Sequence, residues 1–149
     1  WNDSAFFGLL GHKPELLEAV VQLFQSAVDV EGVPLYILEM MRLKGSQINK
    51  CDYCLQQRFA VVKDAVADRE VDVFSSLDRK NFNNQEFLAL SLAEKMAKDP
   101  NDIGDDFFEE LKAEFSESQI LGLVFAVSAF SFGNKINSTL QLQSEVCAL

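Results

Sequence analysis

The sequence contains one cysteine pair whose spacing suits redox chemistry, Cys51 and Cys54, with two residues between them. Apolar periodicity places this pair in the first turn of a helix that begins near Cys51 or Asp52. The unpaired N–H groups of a first turn stabilise a thiolate, and an offset of three residues lets the two sulfurs meet. The pattern therefore predicts a pair that cycles between dithiol and disulfide.

Two other interpretations of the cysteines stay open. A structural zinc needs four ligands, but His12 is the sole histidine, the third cysteine is Cys147, and there is no second CxxC. The sequence thus disfavours a metal, and no metal ligand is predicted. Free cysteines are also often buried without reacting, so two inert core cysteines are the second alternative. We predict a structural or surface role for His12, which lies in a loop far in sequence from the pair.

Glu39 is a carboxylate inside an otherwise apolar helical run, residues 35–41. A carboxyl group in such surroundings suits proton transfer. Alternatively, Glu39 forms a salt bridge with Arg42, three residues further along the same helix. The sequence alone leaves both roles open.

Composition limits the classes of protein to which the chain can belong. Its 149 residues carry 13 Lys plus Arg against 23 Asp plus Glu, a formal net charge of -10, and 48% of them are hydrophobic. This indicates a single domain over residues 1–149 with its own core. The acidic balance disfavours nucleic acid and anionic membrane surfaces as partners. The charge-free stretch at 118–134 is shorter than a membrane span.

The elements that must position the cysteines are all helical. Apolar residues recur at helical spacing along the chain, and no segment shows the alternation of a β-strand. Asn83 with Glu86, and Ser116 with Gln119, have the spacing of capping boxes and mark two helix starts. We predict an all-α fold of about six to eight helices. The predicted helices are at 14–28, 34–43, from 51 or 52 to 66, 70–77, 83–96, 105–115 and from 116 towards 132, with a continuation to 142 left open.

Thirteen phenylalanines are many for one small domain, and several of them fall on the last long helix. They indicate either a helix face that packs against another subunit or an aromatic-rich core. Both interpretations stay open.

The spacing of these residues resembles a known redox core. Glu39 is followed after eleven residues by Cys51-Asp-Tyr-Cys54, and position 58 lies four residues further on. This arrangement is similar to that of the AhpD-like carboxymuconolactone decarboxylase family, in its alkylhydroperoxidase, peroxidase-related branch. The resemblance spans about residues 12–142. The flanking segments that share it are 10–17, 87–93, 115–120 and 130–137.

The resemblance implies an all-helical fold built on a helix hairpin, assembled as a trimer or hexamer, with the cysteines near a subunit contact and no bound cofactor. It also implies residue roles. Cys54 would attack a peroxide, Cys51 would resolve the sulfenic acid as a disulfide, and Glu39 would relay protons.

The chain departs from the family pattern at two positions, where Arg58 and Tyr53 stand in place of histidines. A guanidinium stays protonated at neutral pH, so Arg58 cannot relay a proton. One helical turn beyond Cys54, it would favour a thiolate there or pair with Glu39. Thiol–disulfide exchange asks less of a proton relay than peroxide reduction does.

We therefore predict a cytoplasmic thiol–disulfide oxidoreductase, with weak alkylhydroperoxidase activity in antioxidant defence. Its substrate would be a peroxide or a protein disulfide, and a thiol reductant protein would regenerate it. The alternatives are a helical oligomeric binding protein with a degenerate site at Arg58, and a lactone decarboxylase-like enzyme. The predicted site is Cys54, Cys51, Glu39 and Arg58.

Overall fold

The computed structural model describes residues 3–143, so Cys147, whose role the sequence left open, lies outside the described residues. Within this range the chain forms nine α-helices, one short 3-10 turn and no β-strand. The all-α prediction is confirmed. The helices are α1 Ser4–Leu10, α2 Pro14–Val28, α3 Leu35–Ile48, α4 Asp52–Gln56, α5 Lys63–Ala67, α6 Glu70–Phe74, α7 Asn84–Lys98, α8 Asp105–Glu114 and α9 Glu117–Thr139.

Helix α3 is the centre of the fold. Residues 37–46 are all buried, because α7 and α9 pack against this helix along its length and α4, α5 and α6 also contact it. A helix that is apolar nearly all round is expected to be surrounded in this way. Glu39 and Arg42 therefore lie in the interior, on a helix that contacts the segment containing the cysteines.

Both predicted capping boxes are present. Asn83 accepts a hydrogen bond from the backbone of Glu86 and Ser116 accepts one from Gln119, and in each case the second side chain accepts one from the backbone of the first. These reciprocal bonds satisfy N–H groups that the first turn of a helix leaves free. They place the starts of α7 and α9 where the sequence predicted them.

The single helix predicted from the cysteines to residue 66 is wrong. α4 ends at Gln56, Gln57 is extended, and α5 begins only at Lys63. The reason is that arginine side chains donate to backbone carbonyls that would accept the N–H groups of the next turn if the helix continued. Arg42 binds the carbonyl of Gln57, and Arg58 binds that of Leu55.

Helix α9 spans 23 residues, which makes it longer than its charge-free stretch. By length and composition it is the one helix among residues 3–143 that could cross a membrane. The sequence prediction considered only the charge-free stretch at 118–134, which is shorter than a span, and so it does not hold for the whole helix. Such a test is also passed by the core helix of a soluble protein, and here Leu123, Ala126 and Phe130 are buried in the core. The signal is weak evidence for a membrane span.

Most phenylalanines belong to the core. Six are buried and five more pack against the buried cluster, which favours the aromatic-rich interior. Phe125 and Phe132 on α9 are instead exposed. Gly133 lets α2 approach α9, since a Cβ at this position would lie only 3.2 Å from the Cζ of Phe24.

Candidate functional site

Cys51 and Cys54 form a disulfide, with their Cα atoms 5.2 Å apart. Cys51 is the N-cap of α4, and its Sγ accepts a hydrogen bond of 3.3 Å from the backbone N–H of Cys54. Both cysteines are buried. A short helix that starts between them brings the sulfurs together, which is the geometry that the three-residue spacing predicted.

The two cysteines differ in what they face. A cavity of about 130 Å³ opens beside α4 and is lined by Cys54 but not by Cys51. Aromatic side chains from α1, α2, α9 and the loop after α4 form part of its walls. The lining residues are Asp3, Phe6, Phe24, Arg42, Tyr53, Cys54, Gln57, Arg58, Phe59, Ala60, Phe130, Gly133, Asn134 and Asn137.

Glu39 forms the salt bridge with Arg42 that the sequence offered as an alternative role. The two side chains make a two-pronged contact, 2.7 Å from Nε to Oε2 and 2.8 Å from Nη2 to Oε1. The carboxylate is completely buried and also accepts the backbone N–H of Phe59 at 3.1 Å. It is not among the cavity-lining residues. Its role as a proton relay stays a prediction.

Arg42 ties the cysteine segment to α3, a role that sequence reasoning missed. Beyond its contacts with Glu39, the guanidinium donates to the carbonyl of Cys54 at 2.8 Å and to that of Gln57 at 2.6 Å. These carbonyls lie at the end of α4, where backbone acceptors lack intrahelical partners. The signal available in the sequence was an arginine three residues after a glutamate in a largely apolar helix.

Arg58 pairs with Glu70 and not with Glu39, so the pairing with Glu39, one of the two roles that the sequence left open for Arg58, is wrong. Its Nε and Nη2 lie 2.7 and 2.9 Å from the two carboxylate oxygens of Glu70. It also lies beyond the end of α4 rather than one turn along it, because the helix breaks at Gln57. The hydrogen bond from Arg58 holds the pKa of Glu70 below its ordinary value, although burial opposes this shift.

Tyr53 and Asp3 add a contact that the sequence did not suggest. The hydroxyl of Tyr53 donates to Oδ1 of Asp3, and the same oxygen accepts the backbone N–H of Phe6 at 3.0 Å as the N-cap of α1. Asp3 therefore starts α1 and also anchors it to the residue between the cysteines. Helix α1 itself was missed, because its seven residues carry too little periodic signal.

Asn137 contacts the sulfur that faces the cavity. Its Nδ2 lies 3.4 Å from Sγ of Cys54 and donates to it. A disulfide sulfur carries no hydrogen, so the amide NH₂ is the group that can donate in this contact. The only sequence signal was the position of Asn137 at the end of a segment that shares the family resemblance.

His12 is exposed in the turn between α1 and α2, as the surface prediction expected, and it is not a cavity-lining residue. Among residues 3–143 no group of His, Cys, Asp or Glu side chains has the arrangement of a metal site. The ionisable side chains that line the cavity are Asp3, Tyr53, Arg42 and Arg58, and Cys54 joins them when the disulfide is reduced.

Comparison with known proteins identifies the fold. No protein-family profile and no curated protein matches the chain, whereas several solved structures do. A protein of unknown function from Agrobacterium tumefaciens, proposed to be the antioxidant defence protein AhpD, is 24% identical with a TM-score of 0.75, over 91% of this chain and 94% of that one.

Three further structures, two of them of one protein, are similar in the same way. An uncharacterized peroxidase-related protein from Silicibacter sp. TM1040 is 20% identical with a TM-score of 0.80, over 92% of this chain and 74% of that one. The debrominase Bmp8 is 21% identical with a TM-score of 0.79, over 94% of this chain and 76% of that one. A Bmp8 variant in complex with 2,3,4-tribromopyrrole has a TM-score of 0.81 and 20% identity, over the same shares of the two chains.

All of these structures share the arrangement of helices around the core, and they include proteins related to peroxidases and to antioxidant defence. In this chain the same scaffold holds a bonded cysteine pair against a cavity. The chain thus has an AhpD-like, all-α fold with a redox-related site.

Proposed function

We propose that this protein is a thiol–disulfide oxidoreductase that cycles Cys51 and Cys54 between dithiol and disulfide. The observation that carries the proposal is the asymmetry of the pair, because Cys54 lines the cavity, whereas Cys51 does not line it and is bonded to Cys54. An attacking sulfur must be reachable by substrate, whereas a resolving sulfur must reach only its partner. The geometry favours Cys54 for the first role and Cys51 for the second.

In the reduced protein the Cys54 thiolate attacks a substrate disulfide, forms a mixed disulfide and expels one substrate thiolate. Cys51 then attacks Sγ of Cys54, forms the intramolecular disulfide and expels the second substrate thiolate. The proton of the Cys51 thiol passes to the leaving sulfur. A dithiol reductant returns two electrons and two protons to the pair.

Peroxide reduction is the weaker activity in this proposal. Attack on a hydroperoxide expels an alkoxide, which a positioned acid must protonate for fast turnover. Arg58 cannot supply that proton, and among the described residues the Glu39 carboxylate is held by Arg42 away from the cavity. We expect slow hydroperoxide turnover alongside efficient disulfide exchange.

Trapping tests the order of attack. In a Cys147→Ser background, reduced Cys51→Ser should accumulate a mixed disulfide at Cys54 with 5,5′-dithiobis(2-nitrobenzoic acid), which mass spectrometry detects on the intact protein. Cys54→Ser is the matched control and should form no stable adduct at Cys51 at a comparable rate. Equal trapping at both cysteines would contradict the assignment. Absence of disulfide turnover in the wild-type protein would favour the binding-protein or lactone decarboxylase-like alternatives.

A second candidate is thiol-dependent debromination of a small aromatic compound, which the likeness to a debrominase and the aromatic walls of the cavity favour. Cys54 would take bromine from the ring, the ring carbon would take a proton, and Cys51 would displace bromide as the disulfide forms. Release of bromide from 2,3,4-tribromopyrrole with dithiothreitol, lost in Cys54→Ser, would support this function.

The assembly and compartment of the protein are also proposals. Leu121, Phe125 and Phe132 lie exposed along α9, and apolar side chains on one helix face favour contact with a second copy of the chain. We propose a homo-oligomer, a trimer or hexamer, in the cytoplasm, where a pair of exchanging cysteines is kept reduced. Light scattering that reports a monomer at micromolar concentration would contradict the oligomer.

A further inference from the structure

Two asparagines on α9, one helical turn apart, face the same cavity but differ in their hydrogen bonds. Asn134 is satisfied at both ends of its amide: Oδ1 accepts from Asn49 at 2.9 Å, and Nδ2 donates to Ser46 at 3.1 Å. Asn137 is satisfied at one end, where Nδ2 donates to Sγ of Cys54. Its Oδ1 is buried and, among the described residues, has no hydrogen-bond partner.

An unpaired buried acceptor is unusual in a folded protein. Nearly all buried polar atoms have a partner, and leaving one without a partner costs free energy. Asn137 is 7% exposed, so bulk solvent does not satisfy its oxygen. The side chain lines the cavity, so a small rotation of its amide would bring Oδ1 to a donor on a molecule bound there.

The remaining walls indicate the character of such a molecule. Phe6, Phe24, Phe59 and Phe130 line the cavity, and the arginines beside them are already engaged with carboxylates and carbonyls of the protein. The cavity volume of about 130 Å³ is close to the roughly 150 Å³ that accepts a benzene ring in an apolar protein interior. A small ring or short alkyl body fits these walls.

We propose that Asn137 is the polar anchor of a ligand site in this cavity, where Oδ1 accepts a hydrogen bond from a small apolar molecule that carries one O–H or N–H donor. Because the same amide holds Sγ of Cys54, the donor of the ligand comes to lie beside the sulfur. That this ligand is a substrate rests on the proposed function. The binding site itself does not.

Phenol and toluene test the anchor, since the two rings are similar in size and differ in one hydroxyl group. The protein is kept in its disulfide form, so that no thiol chemistry intervenes, and affinities are measured by ligand-observed NMR. We expect the affinity ratio of phenol to toluene to be about 5-fold lower in Asn137→Leu than in the wild type, the effect of one hydrogen bond. Asn137→Ala provides a second variant without the acceptor.

Asn134→Ala is the matched control, since it removes an amide from the same face of α9 but leaves Oδ1 of Asn137 in place. We expect it to keep the wild-type affinity ratio. An unchanged ratio in both Asn137 variants, or no binding of either ring to the wild type, would overturn the proposal. If Asn137 controls the ratio while disulfide exchange is absent, the ligand site stands and the proposed function fails. If exchange proceeds and the ratio does not respond, only this inference fails.

Discussion

Two arginine–glutamate pairs flank the cysteine cavity and make the same two-pronged contact at different depths. Arg42 and Glu39 lie in the interior, with side chains 7% and 0% exposed, whereas Arg58 and Glu70 lie at the rim, 20% and 28% exposed. The shortest N to O distance is 2.7 Å in both pairs. Contact geometry alone therefore does not distinguish them, and burial does.

The difference in burial indicates that the two pairs have different roles, one in stability and the other in reactivity. Both arginines also bind two backbone carbonyls, but only the inner pair is almost fully buried, and its Glu39 also accepts a backbone N–H. A buried pair that loses one partner leaves an uncompensated charge away from water. The rim pair has water within reach, so it can be changed at low cost. We expect stability to depend on the inner pair and reactivity to respond to the outer one.

The largest effect should come from breaking the inner pair. Glu39→Gln leaves the Arg42 guanidinium buried without its counter-charge, and the free energy of unfolding should fall by about 3–5 kcal/mol. The measurement is the denaturant midpoint at a constant slope. Glu70→Gln is the matched control, with an expected loss of at most about 1 kcal/mol. Equal losses in the two variants would contradict the comparison.

Changing the rim residue should alter the chemistry. Arg58→His introduces an acid–base group beside the cavity, next to Glu70, and should raise hydroperoxide turnover about 10-fold, because a positioned group typically contributes 10²- to 10⁴-fold and a transplanted one less. Consumption of tert-butyl hydroperoxide with a dithiol reductant measures this gain. Adding Glu70→Gln should reduce it, since the imidazole then loses the carboxylate that orients it.

Flat peroxide turnover in Arg58→His would contradict this prediction. If disulfide exchange fell at the same time, Arg58 would be a residue that supports exchange, and the peroxidase activity implied by the family resemblance would not apply. Adding Glu39→Gln to Arg58→His would test whether the carboxylate of Glu39, rather than that of Glu70, supports the new imidazole.

The rim pair should have a smaller effect than the two changes above, and the effect should be on the pH dependence of stability. Arg58 lowers the pKa of Glu70 in the folded protein, so the pair stabilises the fold fully above the unfolded value of about 4.3. This contribution disappears as the pH falls through the lowered pKa. The stability difference between wild type and Glu70→Gln should therefore shrink between about pH 5 and pH 3. A difference that grew on acidification would contradict the assignment.

The smallest expected effect is on the reactivity of Cys54. Glu70→Gln removes the counter-charge of Arg58 and leaves a more positive cavity rim, which favours the thiolate. Alkylation of Cys54 by iodoacetamide at neutral pH should be about 2-fold faster than in the wild type, and the gain should vanish in 1 M salt because such charges are screened. A gain that persists in high salt would indicate a structural rearrangement instead.

Local sequence signals predicted much of this fold. Asn83 with Glu86, and Ser116 with Gln119, predicted two helix starts, because a capping box depends only on residues three apart. The pairing of Cys51 with Cys54 followed from their spacing for the same reason. The break after Gln56 was not predictable from local periodicity. It depends on Arg42, a residue of another helix that reaches the carbonyls of Cys54 and Gln57.

The sequence by itself determined the helical class, the cysteine pair and the presence of a carboxylate in an apolar helix. Only the tertiary structure decided the distant partners: Arg42 with the carbonyls of Cys54 and Gln57, Arg58 with Glu70, and Asn137 with Cys54 across 83 residues of chain. The physical reason is range. Caps and helical periodicity involve neighbours within about one turn, whereas a side-chain partner across the core depends on how whole helices pack, and that packing follows from the burial of many residues at once.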